Sequence, residues 1–212
     1  MRPGPRVVVA VDFSAASSIR VPRVKGLDIV KPPYGRITAI DVVVNDPDTW
    51  YVGAASGGVW KTTNNGTTWE PQLQDSGHMS TGDVTISQSN PDLVWVGVGE
   101  SSNRQSVSWG DGVYKSTDGG KTYTNMGLKT SRHINRIAID PRNNDTVFVA
   151  AVGSLWGPGG ERGVFKTTDG GRTWKNMGLA TSKQVARIIF DPIDYNVGYV
   201  AATGDRWGPG GD

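Results

Sequence analysis

The 212-residue chain contains no cysteine, so disulfide staples, thiol nucleophiles and cysteine-based metal sites are excluded. Histidine is nearly absent: His78 and His133 are too few and too far apart for a histidine-rich metal site, and no cofactor is expected. No apolar run approaches the ~18 residues that a membrane-spanning helix needs. The run at 7–11, all valine and alanine, lies between Arg6 and Asp12; it is too short for the core of a signal peptide and reads as a strand. No membrane insertion is expected. Excess charge is scarce as well. The net charge is +2 and no basic block occurs, so a nucleic-acid partner is not expected.

Turn chemistry, by contrast, is abundant. The 29 glycines and 12 prolines separate short runs rich in Val, Ile, Thr and Trp, a composition that predicts an all-β chain of short strands. A repeat organises those strands. Gly58-Val59-Trp60-Lys61-Thr62-Thr63-Asn64-Asn65-Gly66-Thr67-Thr68-Trp69 aligns with the segments that begin at Gly112 and Gly163 and end at Tyr123 and Trp174. Asn64, Asp118 and Asp169 occupy one position of this alignment, 54 and 51 residues apart, and a period near fifty in a strand-rich chain fits a four-stranded propeller blade. Upstream of each copy, two apolar strands flank a proline turn, at Asp46-Pro47, Asn90-Pro91 and Asp140-Pro141; a fourth such pair surrounds Asp191-Pro192. Each unit therefore reads as strand 1, proline turn, strand 2, variable loop, strand 3, tight turn, strand 4. The expected units are an N-terminal segment 1–34, blades at 35–74, 79–128 and 132–180, and half a blade at 184–212.

The third segment of each unit encodes a hairpin. A carboxylate or amide at Asn64, Asp118 or Asp169 accepts hydrogen bonds from its own turn. Gly66, Gly120 and Gly171 supply positive φ. Trp69, Tyr123 and Trp174 close the turn with a large apolar face. The pattern Ser/Thr-x-Asp-x-Gly-x-Thr-Trp resembles the Asp box, or BNR repeat, of sialidases, sortilin-type receptors and other β-propellers. The stretches Gly35-Arg36-Ile37-Thr38, Trp50-Tyr51-Val52-Gly53, Ser56 to Thr63, Val96 to Glu100 and Gly110 to Tyr114 resemble bacterial sortilin-like, glycosyl hydrolase-like repeat proteins more specifically, over roughly residues 26–212. That resemblance implies a secreted or periplasmic protein, a longer natural chain of which this is a piece, and a peptide or glycan ligand. An incomplete blade needs outer strands. Residues 7–13 and 27–30 are candidates, closing a four-bladed ring within one chain or an eight-bladed homodimer between two; family practice favours the larger ring.

Two enzyme families share the resemblance. Arg20-Val21-Pro22 resembles the Arg-Ile-Pro triplet of sialidases, but so short a stretch equally suits an ordinary irregular segment. In xyloglucan-cleaving propellers a catalytic Asp precedes the Gly-Gly pair by two positions, where this chain has Ala55. Glycoside hydrolysis needs two carboxylates about 5–10 Å apart, and of the loop carboxylates Glu100 and Glu161 are the weak candidates, expected instead to be solvated. The better candidate surface is the set of loops between strands 2 and 3, which carry Arg104, Trp109, Trp156, Arg162, Arg206 and Trp207; aromatic faces beside charged hydrogen-bonding groups suit a sugar ring or a peptide. Trp109, in Trp-Gly-Asp-Gly, leans toward a structural turn. His133 opens an inner strand, where a satisfied polar role is expected, and Asp83, Arg136 and Arg187 share one strand-1 position from which they are expected to pair with one another. A non-catalytic binding module is the preferred reading, with a fragment of a glycoside hydrolase as the alternative.

Overall fold

The computed structural model describes residues 36–102, 107–157, 159–182 and 184–203. Each fifty-residue repeat forms one antiparallel meander, because the Pro/Asp turns and the box turns reverse the chain between short β-branched and aromatic runs. The first sheet runs β1 (Ile37–Val42), β2 (Trp50–Ala54), β3 (Gly58–Thr62) and β4 (Glu70–Gln72), in that order across the sheet. The second runs β5 (Thr81–Ile86), β6 (Val94–Val98), β7 (Val113–Ser116) and β8 (Thr124–Asn125). The third runs β9 (Ile134–Asp140), β10 (Asn143–Ala151), β11 (Gly163–Thr167) and β12 (Lys175–Asn176). A fourth, two-stranded sheet pairs β13 (Gln184–Phe190) with β14 (Gly198–Thr203). The expected ring-closing strands at 7–13 and 27–30 lie outside the described residues.

Register repeats with the sequence. Val52 faces Trp60, Val96 faces Tyr114 and Val149 faces Phe165 across the second and third strands. One position further along, an aromatic ring faces a lysine in every complete sheet: Tyr51 and Lys61, Trp95 and Lys115, Phe148 and Lys166. The first strands β1, β5, β9 and β13 pack side by side. Side chains tie them together, with Thr38 Oγ1 donating to Thr81 O (2.8 Å), Ile86 N to Asp41 (2.7 Å) and Ile137 N to Asp83 (2.7 Å). The apolar core is therefore layered between sheets rather than gathered at one centre. Tyr51, Val59, Val84, Val94 and Val96 fill the first layer, Trp95, Val113, Ile134, Ile137 and Val149 the second, and Ala138, Ala150, Val164, Val185 and Ile188 the third. Sandwiching explains why β6 is buried along its whole length. On β14, beside which no third strand lies among the described residues, Tyr199 and Val200 are exposed.

The box turns close as their residue types require. Asp118 Oδ1 accepts from Ser116 Oγ (2.7 Å) and Thr122 N (2.9 Å), and Oδ2 accepts from Thr122 Oγ1 (2.6 Å). Asp169 repeats the set with Thr167 and Thr173. Asn64 keeps it by donating from its amide to Thr68 Oγ1 (2.8 Å) while Oδ1 accepts from Thr68 N (2.8 Å). These bonds, the Thr122 hydroxyl first, hold the Asp118 carboxyl down at about 2, and the Asp169 carboxyl is lowered in the same way.

Candidate functional site

At one end of the sheets the connections from β4 to β5, from β6 to β7 and from β8 to β9 converge on a cavity of about 530 Å³. Trp109 and Asp111 reach it from the loop before β7, His78 from the connection before β5, and Lys129, Thr130 and Arg132 from the connection before β9. The backbone is latched there: Gly110 N donates to Arg132 O (2.7 Å), Gly99 N to Ser80 O (2.7 Å) and Ile134 N to Gly99 O (3.2 Å). Arg132 has φ of 59°. Among the described residues the other non-glycine positions with positive φ are Asn65 in a box turn and Leu73, Leu128 and Leu179 where a fourth strand ends. Arg132 follows Leu128 by four residues, the place that Gly77 takes after Leu73 with φ of 74°, so a side chain here stands in a left-handed position that the preceding unit gives to glycine, the kind of local strain that gathers at binding sites.

The Arg132 guanidinium carbon lies 5.6 Å from the centroid of the Trp109 ring, which is 65% exposed. An aromatic face beside a cation, open to solvent, is a surface on which a ligand ring or chain stacks. Asp111 is already occupied. It accepts from Tyr114 Oη at 2.9 and 3.1 Å, and His78 Nε2 stands 3.1 Å from Oδ1. Glu161 Oε2 accepts from both Thr130 N and Thr130 Oγ1 at 3.0 Å, pinning the rim. Lys129 and Arg132 bring positive charge to a wall that also carries the Asp111 carboxylate, with Glu161 at the rim.

The sequence-predicted residues divide. Trp109 lies in the cavity wall and is exposed, contrary to the structural-turn expectation, because Gly110 and Asp111 hold the loop while the indole points away from the core. Trp156 is 65% exposed but does not line this cavity. Arg162 serves its own loop, its guanidinium donating to the carbonyls of Ser154 (2.6 Å), Gly157 (3.1 Å) and Ser182 (3.4 Å). Glu100 is not a solvated loop carboxylate. It is buried and paired with Arg36, and its backbone N donates to Ser80 Oγ at 2.9 Å. Arg104, Arg206 and Trp207 lie outside the described residues.

Two inner-strand expectations also meet the structure. Arg136 Nη1 sits 3.4 Å from Asp83 Oδ1, so those two members of the shared strand position do pair. Burial nevertheless pushes the Asp83 carboxyl up to about 6, with Arg136 pulling the other way. His133 departs from expectation: it is buried and its Nδ1 has no hydrogen-bond partner among the described residues. Burial, aided by the charge of Arg132, lowers it to about 4 and keeps the ring neutral. His78, Lys129 and Arg132 were missed by motif reasoning; the signal that could have found their connections is a shared Leu-x-x-Ser turn, in which Ser76, Ser131 and Ser182 N donate to the carbonyls of the left-handed Leu73, Leu128 and Leu179. No group of three or more metal-ligating side chains occurs among the described residues, and no described helix is long and apolar enough to cross a membrane.

With this geometry in view, known structures place the architecture. An ancestral GH74 enzyme matches with a TM-score of 0.62 and 23% identity over 79% of this chain. The fold is that of a β-propeller. YCF48 bound to D1 peptide matches with a TM-score of 0.52 and 17% identity over 76% of the chain, and covers 46% of that protein. An auxiliary nutrient binding protein from Bacteroides thetaiotaomicron matches with a TM-score of 0.53 and 14% identity over 81% of the chain, and covers 37% of that protein. The chain spans 22% of the length of the ancestral GH74 enzyme. No family model matches the sequence, and no curated protein matches it.

Proposed function

We propose that the chain is a non-catalytic binding module of the sortilin-like, Asp-box type, built from units at 35–74, 79–128, 132–180 and 184–212, whose peptide or glycan ligand stacks on Trp109 under Arg132. The exposed indole facing a guanidinium on a left-handed backbone carries this reading. Polar peptide or glycan ligands suit the wall, which sets the cations of Lys129 and Arg132 and the carboxylate of Asp111 around the indole, with Glu161 at the rim. Two propellers of the same fold, one bound to a peptide and one a nutrient binding protein, support a binding role.

The glycoside hydrolase reading is favoured by the GH74 likeness alone. It lacks a carboxylate at Ala55, Glu100 is buried against Arg36, and Glu161 Oε2 is held by Thr130. The test is a glycan and acidic-peptide array followed by titration calorimetry. Trp109→Ala is expected to weaken binding by at least tenfold, corresponding to the ~1.4 kcal/mol or more that a stacked aromatic contact provides, with the melting temperature unchanged. Binding that survives both Trp109→Ala and Arg132→Met would refute the assignment. Hydrolysis of xyloglucan abolished by Glu161→Gln would establish the enzyme reading instead.

A further inference from the structure

The geometry points to a second binding surface, the groove beside Phe148, Lys166 and Met177, as a docking site for a β-hairpin of the box type. This inference is independent of the Trp109 cavity. It rests on an interface that the chain already makes twice. In the first instance, the second sheet's box turn seats on the first sheet: Lys61 Nζ and Tyr51 Oη both donate to Gly119 O, at 2.8 and 2.6 Å. In the second, the third sheet's box turn seats on the second sheet: Lys115 Nζ donates to Gly170 O at 3.0 Å, and Trp174 Nε1 donates to Met126 O at 2.8 Å. Trp174 also meets Trp95 edge to face, with centroids 6.1 Å apart. The box is thus more than a turn. Its glycine carbonyl and closing aromatic ring form a plug, and the preceding sheet offers the socket.

Each socket uses the same three positions. A second-strand aromatic faces a third-strand lysine, and a fourth-strand residue lies beyond them: Tyr51, Lys61 and Gln72 in the first sheet; Trp95, Lys115 and Met126 in the second. Phe148, Lys166 and Met177 repeat the set in the third sheet. The lysine lies over the aromatic ring at 5.4, 5.3 and 5.1 Å in the three copies, so the third socket is already formed. Its occupancy differs. Among the described residues no backbone carbonyl accepts from Lys166. Met177 is 50% exposed, where Gln72 is buried and Met126 partly buried. The socket opens into a groove of about 370 Å³ that runs along Gly198 and Val200 of β14. A hairpin laid there would pair with that strand, as β3, β7 and β11 pair with theirs, and would bring its box glycine to Lys166 and its aromatic ring to Phe148. Residues 7–13 and 27–30 contain no box, so the chemistry of the socket favours a box hairpin over the N-terminal segment.

A test uses the full chain and a peptide with the sequence of residues 163–176, pinned as a hairpin by a disulfide between added terminal cysteines and labelled for fluorescence anisotropy. The chain has no cysteine, so the pin does not exchange with it. Saturable binding is expected, together with slowed amide exchange across Gly198–Thr203. Lys166→Met should weaken it about tenfold through loss of a charged hydrogen bond, and replacing the peptide's box tryptophan by alanine should weaken it further. Lys115→Met, whose ammonium already has its carbonyl, should bind the peptide as the wild type does. The proposal is overturned if the folded chain shows no saturation or if Lys166→Met binds unchanged. It is also overturned if the amides of β14 are protected in the chain alone, at low concentration by its own N-terminal residues or at high concentration by a second copy.

Discussion

Alanine at Gly171 should cost more than alanine at Gly66, although both glycines hold the same place in the box turn. Gly171 has φ of 98° and Gly66 φ of 81°, so an L side chain is strained at either, by ~1–2 kcal/mol. The surroundings separate them. A Cβ at Gly171 would stand 2.6 Å from the buried ring of Trp95 and 3.2 Å from Met126 Cβ, closer than packed side chains accept. Overpacking of that kind costs a further ~1–3 kcal/mol. At Gly66 the nearest atom, Trp69 Cζ2, is 3.5 Å away, an ordinary contact, because this box seats on no described preceding sheet. Gly66→Ala should therefore lose ~1–2 kcal/mol and Gly171→Ala ~2–5 kcal/mol. Urea unfolding followed by tryptophan fluorescence reads the difference; with a slope of ~2 kcal/mol/M, the midpoint should fall by about 0.5–1 M and 1–2.5 M respectively. Equal losses in the two variants would mean that the third box is not seated on Trp95, and the plug-and-socket account of the sheet interfaces would fail with it.

Lys115→Met should lower stability by ~1–2 kcal/mol, since it removes a charged hydrogen bond to Gly170 O; Lys166→Met in the chain alone should be nearly neutral, and similar losses in both would refute the difference in occupancy. His133 should make the fold acid-sensitive. Its folded value, about 4, lies below the ordinary 6.5, so the unfolded chain takes up the proton first. The contribution is full above pH 6.5 and is lost as pH falls toward 4, by ~3 kcal/mol; a His133→Gln variant whose midpoints keep this slope would refute it. Asp83 acts in the opposite sense. Its carboxyl is raised from 3.8 to about 6, so the native state holds the proton longer and stability declines as pH rises from 3.8 through 6. Asp83→Asn should flatten that decline, and an unchanged profile would show that Arg136 compensates the charge. At Asp118, carbon-detected titration should find a value near 2 that climbs when Thr122→Val removes the hydroxyl donor; no movement would assign the shift elsewhere.

The architecture was legible because it is written repeatedly. Three copies of one hairpin, each with a carboxylate or amide, a glycine and an aromatic at fixed offsets, leave little choice of local structure, and the sheets that result follow their order. Even Asn64 was readable, since an amide offers the same acceptor and adds a donor toward Thr68. What sequence could not supply was the relation between units. The lysines at 61, 115 and 166 were visible as part of the repeat, but their partners lie on the next sheet, 58 and 55 residues away for the first two. Glu100 looked like an ordinary loop acid because nothing local announces Arg36, 64 residues earlier. Trp109 looked structural because its glycine-rich setting is that of a turn; the turn exists, and it presents the ring rather than burying it.

The division between scaffold and site follows from this. A residue type that recurs at the same offset in each blade answers a requirement common to all blades, which is packing against neighbours. The aromatic–lysine pairs and the box residues are of that kind, and the first two pairs meet the box of the next sheet. Trp109, Lys129 and Arg132 have no counterpart of their own type in the other units, and with His78 they converge from three different connections on one cavity. Arg132 places a side chain at the left-handed position that Gly77 fills in the preceding connection. An unrepeated residue in a strained conformation, beside an exposed indole, is stabilising nothing that the other blades lack. Binding is the requirement that remains. On that reasoning Trp109→Ala and Arg132→Met should change ligand affinity without changing the unfolding midpoint, whereas Trp95→Ala, at the centre of a layer, should lower the midpoint by ~3–5 kcal/mol equivalent. Parallel urea titrations and calorimetry on the three variants distinguish the classes, and a Trp109 variant that unfolds as early as the Trp95 variant would return Trp109 to the scaffold.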